Sequence, residues 1–161
     1  MQDSKRGIGD LSYAGYIRLE AECDASAEIV WDCLVDGAHR AEWGLEHLQF
    51  EHAKGGALEE RWTDRDGTEQ QVTGEMLSFD PPRQLIATWA EPNWGFETVL
   101  NISLAAETSG TRIHLVHSGW DRAGDEQKRL MRAHTAGWTQ HLRNLRAYAE
   151  ARAGAQDTDG S

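Results

Sequence analysis

Only two of the 161 residues are cysteine, Cys23 and Cys33, and no C-x-x-C occurs. The two could pair, but nothing in their spacing demands a bridge, and a reducing cytosol argues against one. No apolar run approaches membrane-spanning length. The opening MQDSKRGIGDLSYAG has basic residues but no apolar core of a secretory signal, so a cytoplasmic location is expected. Positive charge is also scarce. Sixteen Lys and Arg stand against 27 Asp and Glu, a formal net charge of -11, which disfavours nucleic acid and anionic membranes as partners. Neither H-E-x-x-H nor G-x-S-x-G is present, so the common zinc-hydrolase and serine-hydrolase signatures are missing. Phe and Tyr number three each, whereas Trp numbers seven. Tryptophan offers a large flat face and one N–H donor, and it lines cavities as well as filling cores.

The periodicities describe a single domain over residues 15–152, preceded by a polar arm (1–14) and followed by a disordered tail (153–161). YIRLEAEC alternates strictly, placing Ile17, Leu19, Ala21 and Cys23 on one face of a strand. DASAEIVWDCLVD then switches to helical spacing, with Ser26 as N-cap and Ala27, Val30, Trp31 and Leu34 inward. HRAEW adds a second short helix. From Leu45 to His117 the chain reads as successive antiparallel strands. Asp66-Gly67 marks a hairpin, Gly74 a bulge or close backbone approach, and Pro81-Pro82 a break. Phe96, Thr98, Leu100, Ile102 and Leu104 share a face, as do Ile113, Leu115 and His117. A long helix from about Asp125 to Arg152 carries an apolar stripe of Met131, His134, Trp138, Leu142, Leu145 and Ala149. The fold class is α+β: a curved antiparallel sheet of about seven strands around a long C-terminal helix, with two short helices after the first strand. A helix across a strongly curved sheet seldom fills the concavity, so a cavity is expected.

Four blocks in this order, DASAEIVWDCL, GEMLSFDPPRQLIATW, GTRIHLVHSGW and GWTQHLRNLRAY, resemble the SRPBCC/START-like superfamily. Within it they resemble the branch named after the C-terminal domain of the heat-shock-chaperone ATPase activator. The resemblance implies a helix-grip fold with a ligand cavity between helix and sheet. Members bind lipids, sterols or polyketides, cyclise polyketides, or protect producers from toxic metabolites. HSGWDRAGDE (117–126) is similar to the matching segment of members that protect bacteria against enediyne antibiotics.

Inside HTAGWTQH (134–141), His134 and His141 project from the same side of the helix but lie about 10 Å apart along its axis. Zinc–imidazole bonds are only roughly 2.0–2.1 Å long, so the two cannot share one ion. The stretch is a cavity wall, with Trp138 inward and Gly137 expected to let the helix approach the sheet. His117, at the end of an inward-facing strand register, is either a ligand contact or a satisfied core residue. Trp62, Trp89, Trp94 and Phe96 are candidates to line the pocket or its mouth. Glu75 and Glu97 are the carboxylates nearest a bend. Ser118 is adjacent to His117 and points to the opposite face, so the two form no nucleophile–base pair. The candidate ligand-binding set is His117, Trp62, Trp89, Trp94, Phe96, Glu75, His134 and Trp138, with no metal, cofactor or catalytic residue. The expected function is binding of an apolar, aromatic or polyketide-like small molecule by a monomer or homodimer. Self-resistance by sequestration, a cyclase and a co-chaperone-type interaction protein are the alternatives. A filled interior with an exposed apolar patch would favour the last.

Overall fold

The computed structural model describes residues 7–159. In chain order it contains β1 (Gly9–Asp10), β2 (Tyr16–Cys23), α1 (Ala27–Val35), α2 (Gly37–Trp43), β3 (Leu48–Phe50) and β4 (Ala57–Thr63). Then follow β5 (Glu69–Asp80), β6 (Gln84–Trp89), β7 (Thr98–Glu107), β8 (Gly110–Ser118), a 3₁₀ segment (Trp120–Glu126) and α3 (Gln127–Asp159). The strands form one antiparallel sheet, β1-β2-β8-β7-β6-β5-β4-β3. The sheet is curved and α3 lies against it, the helix-grip arrangement.

Local sequence explains the pieces. The alternation of β2 buries Ile17, Leu19, Ala21 and Cys23, and the β8 register buries Ile113, Leu115 and His117 on the same side. Ser26 caps α1 by accepting from the Ile29 N–H at 3.2 Å. Asp36 ends α1 and caps α2, accepting from Ala38 and His39 N–H groups at 2.8 and 3.3 Å. Gly74 has no room for a side chain, since a Cβ would run into the Thr88 carbonyl. There β5 leaves regular pairing, and the Glu75 N–H donates to Thr88 Oγ1 instead.

Two boundaries and one buried position differ from the sequence reading. The arm is not wholly without structure: Gly9 and Asp10 pair with Glu20 and Leu19, while residues 1–6 lie outside the described part. The final helix passes residue 152 and continues to Asp159, so the tail expected over 153–161 is largely helical. Gly154 does not stop it, because one helical glycine costs only ~1 kcal/mol. Leu130, rather than Met131, is the buried residue of the first turns.

Arg40 is 2% exposed and was not anticipated as a core residue. Its guanidinium donates to the carbonyls of Leu34, Val35 and Leu48 at 3.0, 2.8 and 2.9 Å and lies over the Phe50 ring. It thereby satisfies two carbonyls that end α1 and joins both short helices to β3.

Cys23 and Cys33 are free and buried. Burial pushes each thiol up to about 11, away from the reactive thiolate. In the native protein at pH 8 both should resist a thiol reagent such as DTNB, reacting stoichiometrically only after denaturation. Rapid native labelling of either would contradict this burial.

Candidate functional site

The apolar interior beneath α3 is nearly full. Leu34, Leu58, Leu100, Leu115, Trp138, Leu145 and their neighbours leave only about 20 Å³, the scale of one water-sized sphere. The large space lies further along the helix, toward its N-terminal half. It is an open groove of about 590 Å³ between α3 and the β4 and β6 strand ends. A second space of about 500 Å³ continues from it, sharing Trp62, Glu91, Arg129 and Leu130.

Strand and helix periods build the walls. On β4, Leu58, Glu60 and Trp62 follow one another at every second position, and Glu60 and Trp62 reach the groove. On β6 the inward register Leu85, Ala87, Trp89 is extended by Glu91 beyond the strand end. Leu130, His134, Gly137, Trp138 and His141 form one face of α3. A Cβ on Gly137 would meet nothing within 4 Å, so this glycine does not serve close helix–sheet contact. It widens the groove. Gly137→Ala should therefore raise stability by about 0.5–1 kcal/mol through helix propensity alone. A loss of melting temperature would mean that the position is tighter than this geometry.

His117 does not reach the groove. It is fully buried, and both ring nitrogens are engaged. Trp138 Nε1–H donates to His117 Nδ1 at 3.0 Å, and His117 Nε2 lies 2.7 Å from Thr98 Oγ1. The Thr98 hydroxyl gives its single hydrogen to the Trp89 carbonyl at 2.6 Å. Thr98 must then accept from His117, which fixes the neutral Nε2–H tautomer. Three hydrogen bonds thus run in one direction from α3 through β8 and β7 to β6. Burial, reinforced by neighbouring His134, holds the His117 pKa well below its ordinary value. Of the two roles open to it, its position is that of a satisfied core residue.

The other candidates separate clearly. Trp62, Trp89, His134 and Trp138 line the groove. Trp94 lines the adjoining space, and Phe96 stacks on it with centroids 5.1 Å apart and planes 8° apart. Phe96 precedes β7 rather than continuing its face. Glu75 and Glu97 are exposed and line neither space; on β5 the alternation that buries Val72 and Met76 puts Glu75 on the outer face. His134 Nδ1 donates to the Leu130 carbonyl at 2.9 Å, and its ring packs 4.5 Å from that of Trp120. Burial lowers the pKa of both His134 and His141, leaving them neutral near pH 7. His141 lines the groove too, as expected of the 134–141 wall, whereas Glu60, Glu91 and Arg129 were missed as lining residues, although strand alternation already put Glu60 on the Leu58 and Trp62 face.

Among the described residues, Asp32, Asp36 and His39 bring ligand-type atoms within 4.8 Å of one another. Those atoms are engaged in local structure. Asp36 caps α2, and His39 meets Tyr148 Oη at 2.7 Å and Asp32 at 3.3 Å.

A long helix gripped by a curved antiparallel sheet, with two short helices after the first full strand, defines a protein of the SRPBCC class. Residues 24–150 match the model of the family described as activator of Hsp90 ATPase homolog 1-like protein, and the chain belongs to that family. Solved structures agree in fold. A Rhodobacter sphaeroides protein is 22% identical with a TM-score of 0.71, the match covering 89% of this chain and 97% of that one. DynU16, a protein of the dynemicin biosynthetic locus, is 22% identical with a TM-score of 0.69; the match covers 86% of this chain but 48% of DynU16. CalU16 from Micromonospora echinospora is 20% identical with a TM-score of 0.67, over 89% and 84% of the two chains. No curated protein matches the chain significantly. No described helix is long and apolar enough to cross a membrane.

Proposed function

We propose that this protein binds a flat aromatic or polyketide-like small molecule, held in the open groove rather than in a sealed interior. The observation that carries the reading is a groove of about 590 Å³ with Trp62, Trp89 and Trp138 in its walls. Aromatic walls with a few polar groups suit a planar ligand. Sequestration of a toxic metabolite is the biological role we favour, and two features support it. The 117–126 segment resembles members that protect against enediynes, and DynU16 belongs to the locus of dynemicin, an enediyne. Two free, buried thiols suit action in the cytoplasm, as a monomer or homodimer.

A cyclase is less well supported, since His117, the best acid/base candidate from the sheet, has both nitrogens occupied. The filled interior favours the surface-working alternative. Against that alternative, the exposed large apolar side chains among the described residues are few: Leu11, Tyr13, Tyr16 and Leu77.

Titration with a planar probe such as pyrenemethanol should quench tryptophan emission saturably. Gly137→Leu should abolish that quenching by filling the groove, without lowering the melting temperature. Equal quenching in the variant would move binding elsewhere, and no saturable response to any polycyclic probe would remove the reading.

A further inference from the structure

Glu60 and Glu91 both line the groove and are half-buried. Among the described residues neither carboxylate has an ion-pair or hydrogen-bond partner. Arg129, the cation nearest to hand, pairs with Glu126 at 2.6 Å. Burial raises both carboxyl groups above their ordinary pKa, with Arg129 only partly offsetting this for Glu91 and His47 for Glu60. Across the two connected spaces, Glu60, Asp64, Glu91 and Glu126 face one guanidinium, that of Arg129. His134 and His141 contribute no positive charge near pH 7, because burial keeps them neutral.

The same wall holds a second unmet group. Trp89 is 3% exposed, and its Nε1–H has no acceptor among the described residues. An orphaned buried donor and two unpaired, partly desolvated carboxylates are each unfavourable by themselves. A ligand in the groove with a positive charge would relieve the two carboxylates. Tryptophan faces also attract a cation through the ring quadrupole.

We propose that the groove selects aromatic molecules carrying a protonated amine, with Glu60 and Glu91 receiving the ammonium and Trp62 and Trp89 flanking the ring system. The inference rests on the groove-binding reading and adds the charge of the ligand.

Three probes with one ring system separate the two ideas: 1-pyrenemethylamine, pyrenemethanol and 1-pyrenecarboxylate, titrated at pH 7.5 and followed by tryptophan quenching. The amine should bind about tenfold or more tightly than the alcohol, and the carboxylate should bind most weakly. Glu60→Gln with Glu91→Gln should cut the amine's advantage over the alcohol, read as the ratio of their affinities for the same variant, to about threefold or less. Melting curves check that the variants fold. Should the double variant fail to fold, the single variants and a salt series on the native protein read the same preference, which added NaCl should largely erase. Equal binding of amine and alcohol, or a preference that survives the glutamine changes or salt, overturns the inference and leaves the binding reading standing. No binding of any of the three removes both.

Discussion

Replacement of His117 by alanine is expected to lower stability by about 3 kcal/mol and the melting temperature by roughly 6–12 °C. The change removes a fully buried ring and two hydrogen bonds. It leaves the Trp138 N–H without its acceptor, while Thr98 keeps its bond to the Trp89 carbonyl. The void also borders Trp120, whose ring packs 4.7 Å from that of His117. Thr98→Val should cost less, about 1–2 kcal/mol, because the ring and the Trp138 bond remain. The two changes act on one chain of bonds, so the double variant should fall short of the sum. Melting curves on the four proteins test this. An alanine variant within about 0.5 kcal/mol of the parent would show that the chain contributes little.

Acid should weaken the fold steeply, beginning near neutrality. His117, His134 and His141 all have folded-state pKa values depressed by burial. Unfolded, each takes up a proton near its ordinary 6.5. Below that pH the unfolded chain therefore binds more protons than the folded one, and stability falls with pH; above about pH 7.5 the contribution is complete. Each histidine contributes up to about 1.4 kcal/mol per pH unit between its unfolded and its lowered folded pKa, with His117, the most deeply buried, contributing over the widest window. Glu60 and Glu91 act in the opposite sense at lower pH, since their raised pKa values let the folded state hold protons first. Protonated His117 would also put an N–H on Nδ1 against the Trp138 N–H, donor against donor. Urea denaturation between pH 8 and 5 should show a flat plateau followed by this loss, made shallower in a His141→Phe variant. A profile flat down to pH 5.5 would mean that the three rings are protonated in the fold without penalty.

The fold was legible because its signals are local and repeated. The alternation in β2 and β8, the Ser26 cap and the long helical stripe each point to one solution, and together they define the grip. Arg40 was not legible: a basic side chain on a short charged helix reads as solvent-facing, and only the convergence of Leu34, Val35 and Leu48 carbonyls explains its burial. The inward direction of His117 could be read from its register. Its hydrogen-bond partners could not, because Thr98 and Trp138 are distant in sequence and meet only through sheet pairing and helix placement. The groove residues fall between these cases. Glu60 stood on the correct strand face, but a charge in an alternating pattern is ordinarily assigned to solvent. Gly137 was misread because a helix glycine can permit close contact or leave a gap, and only the facing element decides between them.

The split between a full interior and an open groove bears on how quickly a guest comes and goes. A molecule sealed beneath the grip helix would have to wait for the helix to part from the sheet, and its residence time would follow the breathing of the fold. Here the Trp138–His117–Thr98–Trp89 chain stays closed while the groove beside it faces solvent. For a guest held there as proposed, arrival would be set by diffusion and orientation, and departure by the contacts in the groove alone. Such exchange would be uncoupled from local unfolding, so making the protein more stable need not make it slower.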